Sequence, residues 1–191
     1  MRVGLIVDSA CDIPHEFSRK HGIFVLPVTA KIDDQTYVDD HDPVKTQDFY
    51  QSGLLQKGHH AETEAFTAKQ IYDLFMDKIV TNYDVAICET VTKARSLIFQ
   101  NATEAMNSVM ANYRDIRAKA GVEGGFSMRV IDSKQIFAGQ GLLAAHTQRL
   151  IGQKLTKNQL RHEVDTFTDK IYTCVIPRDL HYIRERARAR G

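Results

Sequence analysis

Cysteine is sparse. Cys11, Cys88 and Cys174 stand far apart in 191 residues. An odd count without close spacing excludes a disulfide framework and a Cys-rich zinc site. Tryptophan is absent, which excludes no function. Charge of one sign is also lacking. The formal net charge is +1, so the chain as a whole has no field to attract nucleic acid or an acidic membrane. The one basic cluster is the stretch from Arg184 to Gly191, with four arginines, and the remainder is slightly acidic. No apolar run is long enough to span a bilayer. Met1-Arg2-Val3-Gly4-Leu5 runs directly into a strand pattern rather than a signal peptide, so a reducing cytosol is the expected compartment.

Catalytic and cofactor motifs are missing too. There is no GxSxG elbow, no GxxxxGK[ST] phosphate loop, and no GxGxxG after the first strand. Gly139-Gln140-Gly141 is too short to replace the last. His59 and His60 are adjacent, but no HExxH or comparable spacing accompanies them, so they read as an exposed loop. The acid-rich stretch Asp33 to Asp42 fails the calcium-loop pattern. That pattern needs glycine at position six and glutamate at twelve, where Val38 and Val44 stand. No catalytic residue, cofactor or metal is therefore expected.

What is present is alternation. Val3 to Val7 is a continuous apolar run, as in a strand buried on both faces of a parallel sheet. Asp12-Ile13-Pro14 is expected to open a helix, with Asp12 as N-cap and a stop near Gly22. Ile23 to Ile32 reads as a second strand, Thr36 to Val38 as a short return strand, and Thr46 to Gln51 as helical. Gly53 to Glu64 reads as a polar loop. Thr67 can cap a helix whose Ile71, Leu74, Phe75 and Ile79 recur at helical spacing. Asp84 to Cys88 is a strand, Glu89 to Arg95 a polar loop, and Ser96 to about Ala118 a long helix. Met128 to Ile131 is a further strand, and a helix with Gly139 and Gly141 at its start runs to about Gly152. Thr156 to Thr168 is helical, Ile171 to Ile176 a strand, and Pro177 begins a last helix. The expected fold is α/β: a Rossmann-like, mostly parallel sheet with helices on both faces.

Three loops repeat one arrangement, in which a buried strand ends in small polar residues and a helix follows: Asp8-Ser9, Thr90 to Ser96, and Asp132-Ser133. Ligands of open α/β sheets bind outside the carboxyl ends of the strands. Helix N-termini there present free N–H groups and partial positive charge, and hydroxyls add neutral donors. A carboxylate or phosphate head group suits such a place. Each Ser or Asp also has a plainer role as a helix cap. Cys11 adjoins the first turn at a helix start, where its thiol pKa could fall, or it packs as a small core residue.

Val3-Gly4-Leu5-Ile6-Val7-Asp8-Ser9-Ala10-Cys11-Asp12-Ile13-Pro14 resembles the opening of the DegV family, a strand followed by D-S-x-x-D-[LI]-P. Val25-Leu26-Pro27-Val28, then Tyr37 and Asp39, resemble its second strand and "dGxxYxD" turn. Val130-Ile131-Asp132-Ser133 with Gly139-Gln140-Gly141 resembles "VIDSxxxSxGxG", and Leu180-His181-Tyr182-Ile183 resembles "LxYL". The resemblance implies an EDD-type fold of two α/β lobes that enclose an acyl tail. It implies a fatty acid or other acyl carboxylate as ligand, and a separate fatty acid kinase subunit as the partner to which the acyl chain is presented. The family's "TSQPS" and "SGT" hydroxyls that hold the carboxylate fall on Thr63 and Ser96. With Asp8, Ser9, Asp132, Ser133 and the neighbouring Arg95, they form the expected ligand set.

The departures are specific. Glu64 and Phe66 replace Ser and Pro of the first motif, and Leu97 and Ile98 replace Gly and Thr of the second. Lys93, Ala94 and Arg95 are more basic than the family's small polar run, and a cation there can pair with an anion. Family members are also longer. Residues 1–153 are expected to form the first lobe and 154–191 the beginning of a second, as in a truncated chain. An alternative is an enzyme on a small phosphorylated or carboxylated metabolite, similar to dihydroxyacetone-kinase-type folds, with Asp8, Asp12 and Asp132 as acid/base groups or metal ligands. A nucleic-acid or protein module using the arginine-rich tail is a third reading, and a steep salt dependence of binding would mark it.

Overall fold

The computed structural model describes residues 1–56, 58–177, 180–181 and 183–184. β1 (Val3–Asp8), β2 (Phe24–Leu26), β6 (Val85–Thr90) and β7 (Ser127–Asp132) make a parallel sheet in the order β2-β1-β6-β7. β3 (Val28–Ile32), β4 (Gln35–Asp39) and β5 (Ala61–Ala65) make a second, antiparallel sheet in the order β4-β3-β5.

Alternate residues of the parallel strands face opposite helix layers, as a strand's two-residue period requires. Ile6, Ala86 and Cys88 pack toward α3 (Ala68–Lys78) and α4 (Ile98–Lys119) with Ile71, Phe75, Ile98 and Ala102. Leu5, Val7 and Ile87 pack the other way with Leu143 and Ala144 of α5 (Phe137–Gly152) and Leu160 and Val164 of α6 (Lys157–Thr168). Two capping boxes start α3 and α6, Thr67 with Gln70 and Thr156 with Gln159. The opposite edge of the sheet is fastened by Arg117 of α4, which is 2% exposed. Its Nη1 donates to Val80 O at 2.8 Å and Tyr83 O at 2.7 Å, and its Nη2 to Glu123 O at 3.0 Å.

Several elements differ from the sequence reading. α1 (His15–His21) begins after Pro14, which holds the N-cap with an extended ψ of 136° and no side-chain cap. Asp12 does not cap it, because it lies two residues before the N-cap, out of place for the N2 and N3 N–H groups; its own N–H donates to Phe137 O at 3.3 Å. Gly22 ends the helix at φ 60°, a left-handed conformation natural to glycine. The expected strand from Ile23 to Ile32 is two strands in different sheets. Pro27 separates them, since proline cannot donate to a ladder. The expected loop from Gly53 to Glu64 ends in β5, whose polar Ala-Glu-Thr-Glu-Ala run is an exposed edge of the small sheet. Glu89 and Thr90 belong to β6 and are fully buried, not part of a polar loop. α2 (Pro43–Gln51) is capped by Asp42, which accepts from Val44 N and Lys45 N. Ile171 to Ile176 is irregular rather than a strand. Most of the helix expected from Pro177 onward, Tyr182 of the LxYL-like motif included, lies outside the described residues.

Candidate functional site

The parallel order places the carboxyl ends of β1, β6 and β7 at one edge, and the three following turns are tied to one another. Asp8 is fully buried. Its Oδ2 accepts from Val91 N at 2.6 Å, joining the β1 and β6 turns, and its Oδ1 accepts from Ala10 N at 3.1 Å. Gln140 of α5 is the third donor to the carboxylate, its Nε2 lying 3.2 Å from Oδ1. Burial pushes the Asp8 carboxyl up to about 6, and these hydrogen bonds hold it from rising further. Ser9 N donates to Leu26 O at 3.0 Å, and its carbonyl lies 2.8 Å from His41 Nε2.

The β6 and β7 turns are linked in the same way. Ser133 N donates to Thr90 O at 3.1 Å and Thr92 N to Gln135 O at 2.9 Å. Asp132 Oδ1 accepts from Lys93 N at 3.2 Å and Lys134 N at 2.9 Å. Ser133 is buried, and its Oγ both accepts from Gln135 N and donates to Gln135 O. Gln135 in turn holds the chain beyond α6: its Nε2 donates to Ile171 O at 2.8 Å and its Oε1 accepts from Thr173 Oγ1 at 2.7 Å.

α5 closes on the first turn through the bridge between Cys11 and Phe137. Gly141 makes that approach possible, because a Cβ there would lie 2.2 Å from Asp12 O. Cys11 is fully buried, and burial with the nearby Glu89 and Asp8 pushes its thiol up, so it packs as a core residue.

Ser96 sits half-buried before α4, and its Oγ accepts from Ile98 N at 3.2 Å. Its O–H donates to none of the described residues. The first turn of α4 also presents N–H groups that no helical carbonyl reaches. Arg95 beside it is exposed and makes no ion pair among the described residues. Thr63 is exposed on β5 and paired with Ala30 of β3. The link between its strand and α4 is Asn101, whose Nδ2 donates to Phe66 O at 2.8 Å. Large apolar side chains remain exposed at the starts of α4 and α5: Leu97, Phe137 and Leu142. A groove of about 600 Å³ runs along Lys93, Ser96, Leu97, Phe99 and Thr103. His59 pairs with Asp33 at 2.6 Å, at the far end of the small sheet.

Sequence reasoning missed a buried group beneath this edge. Glu89 of β6 is fully buried and accepts from Thr147 Oγ1 of α5 at 2.5 Å. Burial pushes its carboxyl up to about 8. The available signal was a glutamate ending the apolar run Val85-Ala86-Ile87-Cys88. Asp8 and Asp132 engage their oxygens with protein donors. Among the described residues no group of three His, Cys, Asp or Glu could hold a metal ion, and no helix is long and apolar enough to cross a membrane.

A Rossmann-like parallel sheet with hydroxyl-bearing turns at its carboxyl edge, followed by a small antiparallel sheet leading from β2, defines an α/β domain. The chain belongs to the DegV family: the family model described as "Uncharacterised protein, DegV family" matches residues 2–191. A DegV domain-containing protein of Xanthomonas axonopodis pv. citri is 41% identical over 191 residues, all of this chain and 61% of the relative. One of Xanthomonas campestris pv. campestris is 40% identical over the same span. The chain thus spans about 61% of the length of these relatives. Among solved structures, a DegV lipid binding protein from Thermotoga maritima superposes with a TM-score of 0.74 at 18% identity, covering 89% of this chain and 55% of that one. A stearic acid-binding protein from Eubacterium ventriosum gives 0.70 at 24% identity, covering 85% and 52%. These likenesses establish the fold.

Proposed function

We propose that this chain supplies the head-group side of a fatty-acid-binding protein, with no turnover of its own. The observation that carries the reading is the carboxyl edge of the parallel sheet. Its turns bear hydroxyls, the first turn of α4 presents N–H groups that no helical carbonyl reaches, and large apolar side chains are exposed at Leu97 and Phe137. That combination suits a carboxylate with a hydrocarbon tail. The names of the Thermotoga and Eubacterium neighbours, a lipid binding and a stearic acid-binding protein, agree with it.

In this reading Ser96 and Thr63 donate to the carboxylate, and Arg95 neutralises it from the rim. Ser9 lines the first turn. Asp8, Asp132 and Ser133 act behind the contact surface, holding the turns through the bonds described above. Each methylene buried along the rim contributes about 0.8 kcal/mol. In this reading residues 1–153 form the first lobe together with α6, whose Leu160 and Val164 pack on the parallel sheet, and the chain beyond α6 begins the second. The bonds from Gln135 to Ile171 and Thr173 carry the chain across the strand-end edge, where a second lobe would cover the tail. The working compartment is the cytoplasm, and the bound acyl chain is presented to a separate kinase subunit.

Mass spectrometry of freshly purified, denatured protein tests the reading, using both this chain and the full-length protein. A co-purifying fatty acid, or micromolar binding of stearate by calorimetry, is the expected result. Absence of both from the full-length protein overturns it.

A further inference from the structure

We infer that Glu89 is a positioning residue: its side chain is a neutral carboxylic acid that donates from Oε2 to Gln140 Oε1 and so orients the amide that binds Asp8. This deepens the proposed function by naming what holds the first turn of that site. It rests on that reading only for what the turn is used for.

The argument begins with the Gln140 amide. Its nitrogen lies 3.2 Å from Asp8 Oδ1 and 3.2 Å from Glu89 O, both acceptors. Two acceptors on one side require the NH2 there, so the amide cannot be reversed. Oε1 must then face the other way, and it is buried without a partner. Glu89 Oε2 is the second buried oxygen of the cluster without a partner. Both residues are fully buried. Two buried acceptors without donors are costly, because each has given up its hydrogen bonds to water for nothing. One proton resolves both. With Oε1 already accepting from Thr147, a proton on Oε2 turns that atom into a donor, and Gln140 Oε1 is the acceptor that lacks one.

The surroundings favour the neutral acid. β1 contributes Asp8, the following loop Cys11, and β6 itself Cys88. α5 contributes Gln140 and Thr147, and β7 sets Ile131 beside it in register. Among these groups no cation is present to stabilise a second carboxylate, and His41 acts on Asp8. Burial accordingly pushes Glu89 well above the ordinary glutamate value. The other unpartnered buried atoms belong to Arg117 and Arg129. Arg117 is held at the opposite edge, and Arg129 pairs with Asp165 on α6.

The test uses the ligand-free protein, so it succeeds or fails independently of lipid binding. Glu89→Gln keeps one acceptor for Thr147 and supplies an N–H for Gln140, whereas Glu89→Leu removes both. Isotope-edited infrared spectra at pH 7 are expected to show a protonated glutamate carbonyl that Glu89→Gln loses. Urea stability of the unsubstituted protein is expected to fall between the ordinary glutamate value of 4.5 and about 8, a decline that Glu89→Gln flattens. Amide exchange at Ala10 and Val91 should stay slow in Glu89→Gln and quicken about tenfold or more in Glu89→Leu. An ionised Glu89 at pH 7, parallel pH profiles, or unchanged exchange in a folded Glu89→Leu would each overturn the proposal.

Discussion

Adding one methyl group at Gly141 sets two known effects against each other. Alanine is the better helix former, worth about 1 kcal/mol over glycine inside a helix. On propensity alone, Gly141→Ala should stabilise α5. Sterically it cannot be accommodated in place: its Cβ would lie 2.2 Å from Asp12 O and 3.0 Å from the Asp12 carbonyl carbon. Those are backbone atoms, which cannot rotate aside, so α5 and the first turn must separate by roughly 1 Å. Overpacking of this kind costs about 1–3 kcal/mol. Separation also weakens the bonds of Phe137 N to Ala10 O at 3.2 Å and Asp12 N to Phe137 O at 3.3 Å, each worth about 1 kcal/mol. The clash wins, with a net loss of roughly 2–4 kcal/mol and a fall in Tm of order 5–15 °C. Gly152 is the internal control. It closes the same helix, and nothing lies within 4 Å of a Cβ built there. Gly152→Ala should be neutral or stabilising by up to about 1 kcal/mol. Urea unfolding of the two variants decides the matter. A Gly141→Ala variant as stable as the unsubstituted protein would refute the close approach of α5 to the turn.

Two further outcomes follow from buried and paired charges. Arg117→Leu strips donors from Val80 O, Tyr83 O and Glu123 O, and should cost about 3–5 kcal/mol in urea unfolding. Asp84 has its carboxyl held below the usual range, first by Arg2 and also by Arg117. Its stabilising contribution is present above pH 4 and lost as pH falls further, the opposite sign to Glu89 and Asp8. Stability should therefore decline on both sides of a maximum near pH 4–5 in a pH series of denaturant midpoints, and Arg2→Ala should flatten the acid limb.

Much of the fold was legible because the parallel strands and helices carry strong apolar periodicity: Val3 to Val7, the α3 stripe and the α4 stripe all read directly. What misled was local chemistry overruled by contacts distant in sequence. β5 is too polar to announce itself, and its strand state comes from pairing with β3. Asp12 reads as a cap, but the helix begins only after Pro14, and Asp12 is instead joined through its N–H to Phe137, 125 positions away. Of the site, the turns at Asp8, Ser96 and Asp132 were visible as small polar residues after apolar runs. Glu89 was not, since its burial depends on α5 folding over β6 and supplying Thr147 and Gln140. Thr63 was reached only through the family resemblance, and its exposed place on β5 comes from the small sheet.

The central claim is that the turn before α4 holds a fatty-acid carboxylate. Titration of stearate into the full-length protein and its Ser96→Ala variant tests it most directly. Loss of one hydrogen bond to a charged group should weaken binding by about 1.5–3 kcal/mol, roughly 10- to 150-fold, while the lost bond to Ile98 N should cost the ligand-free protein only about 0.5–2 kcal/mol and leave it folded. Equal affinity in the two proteins would contradict the account.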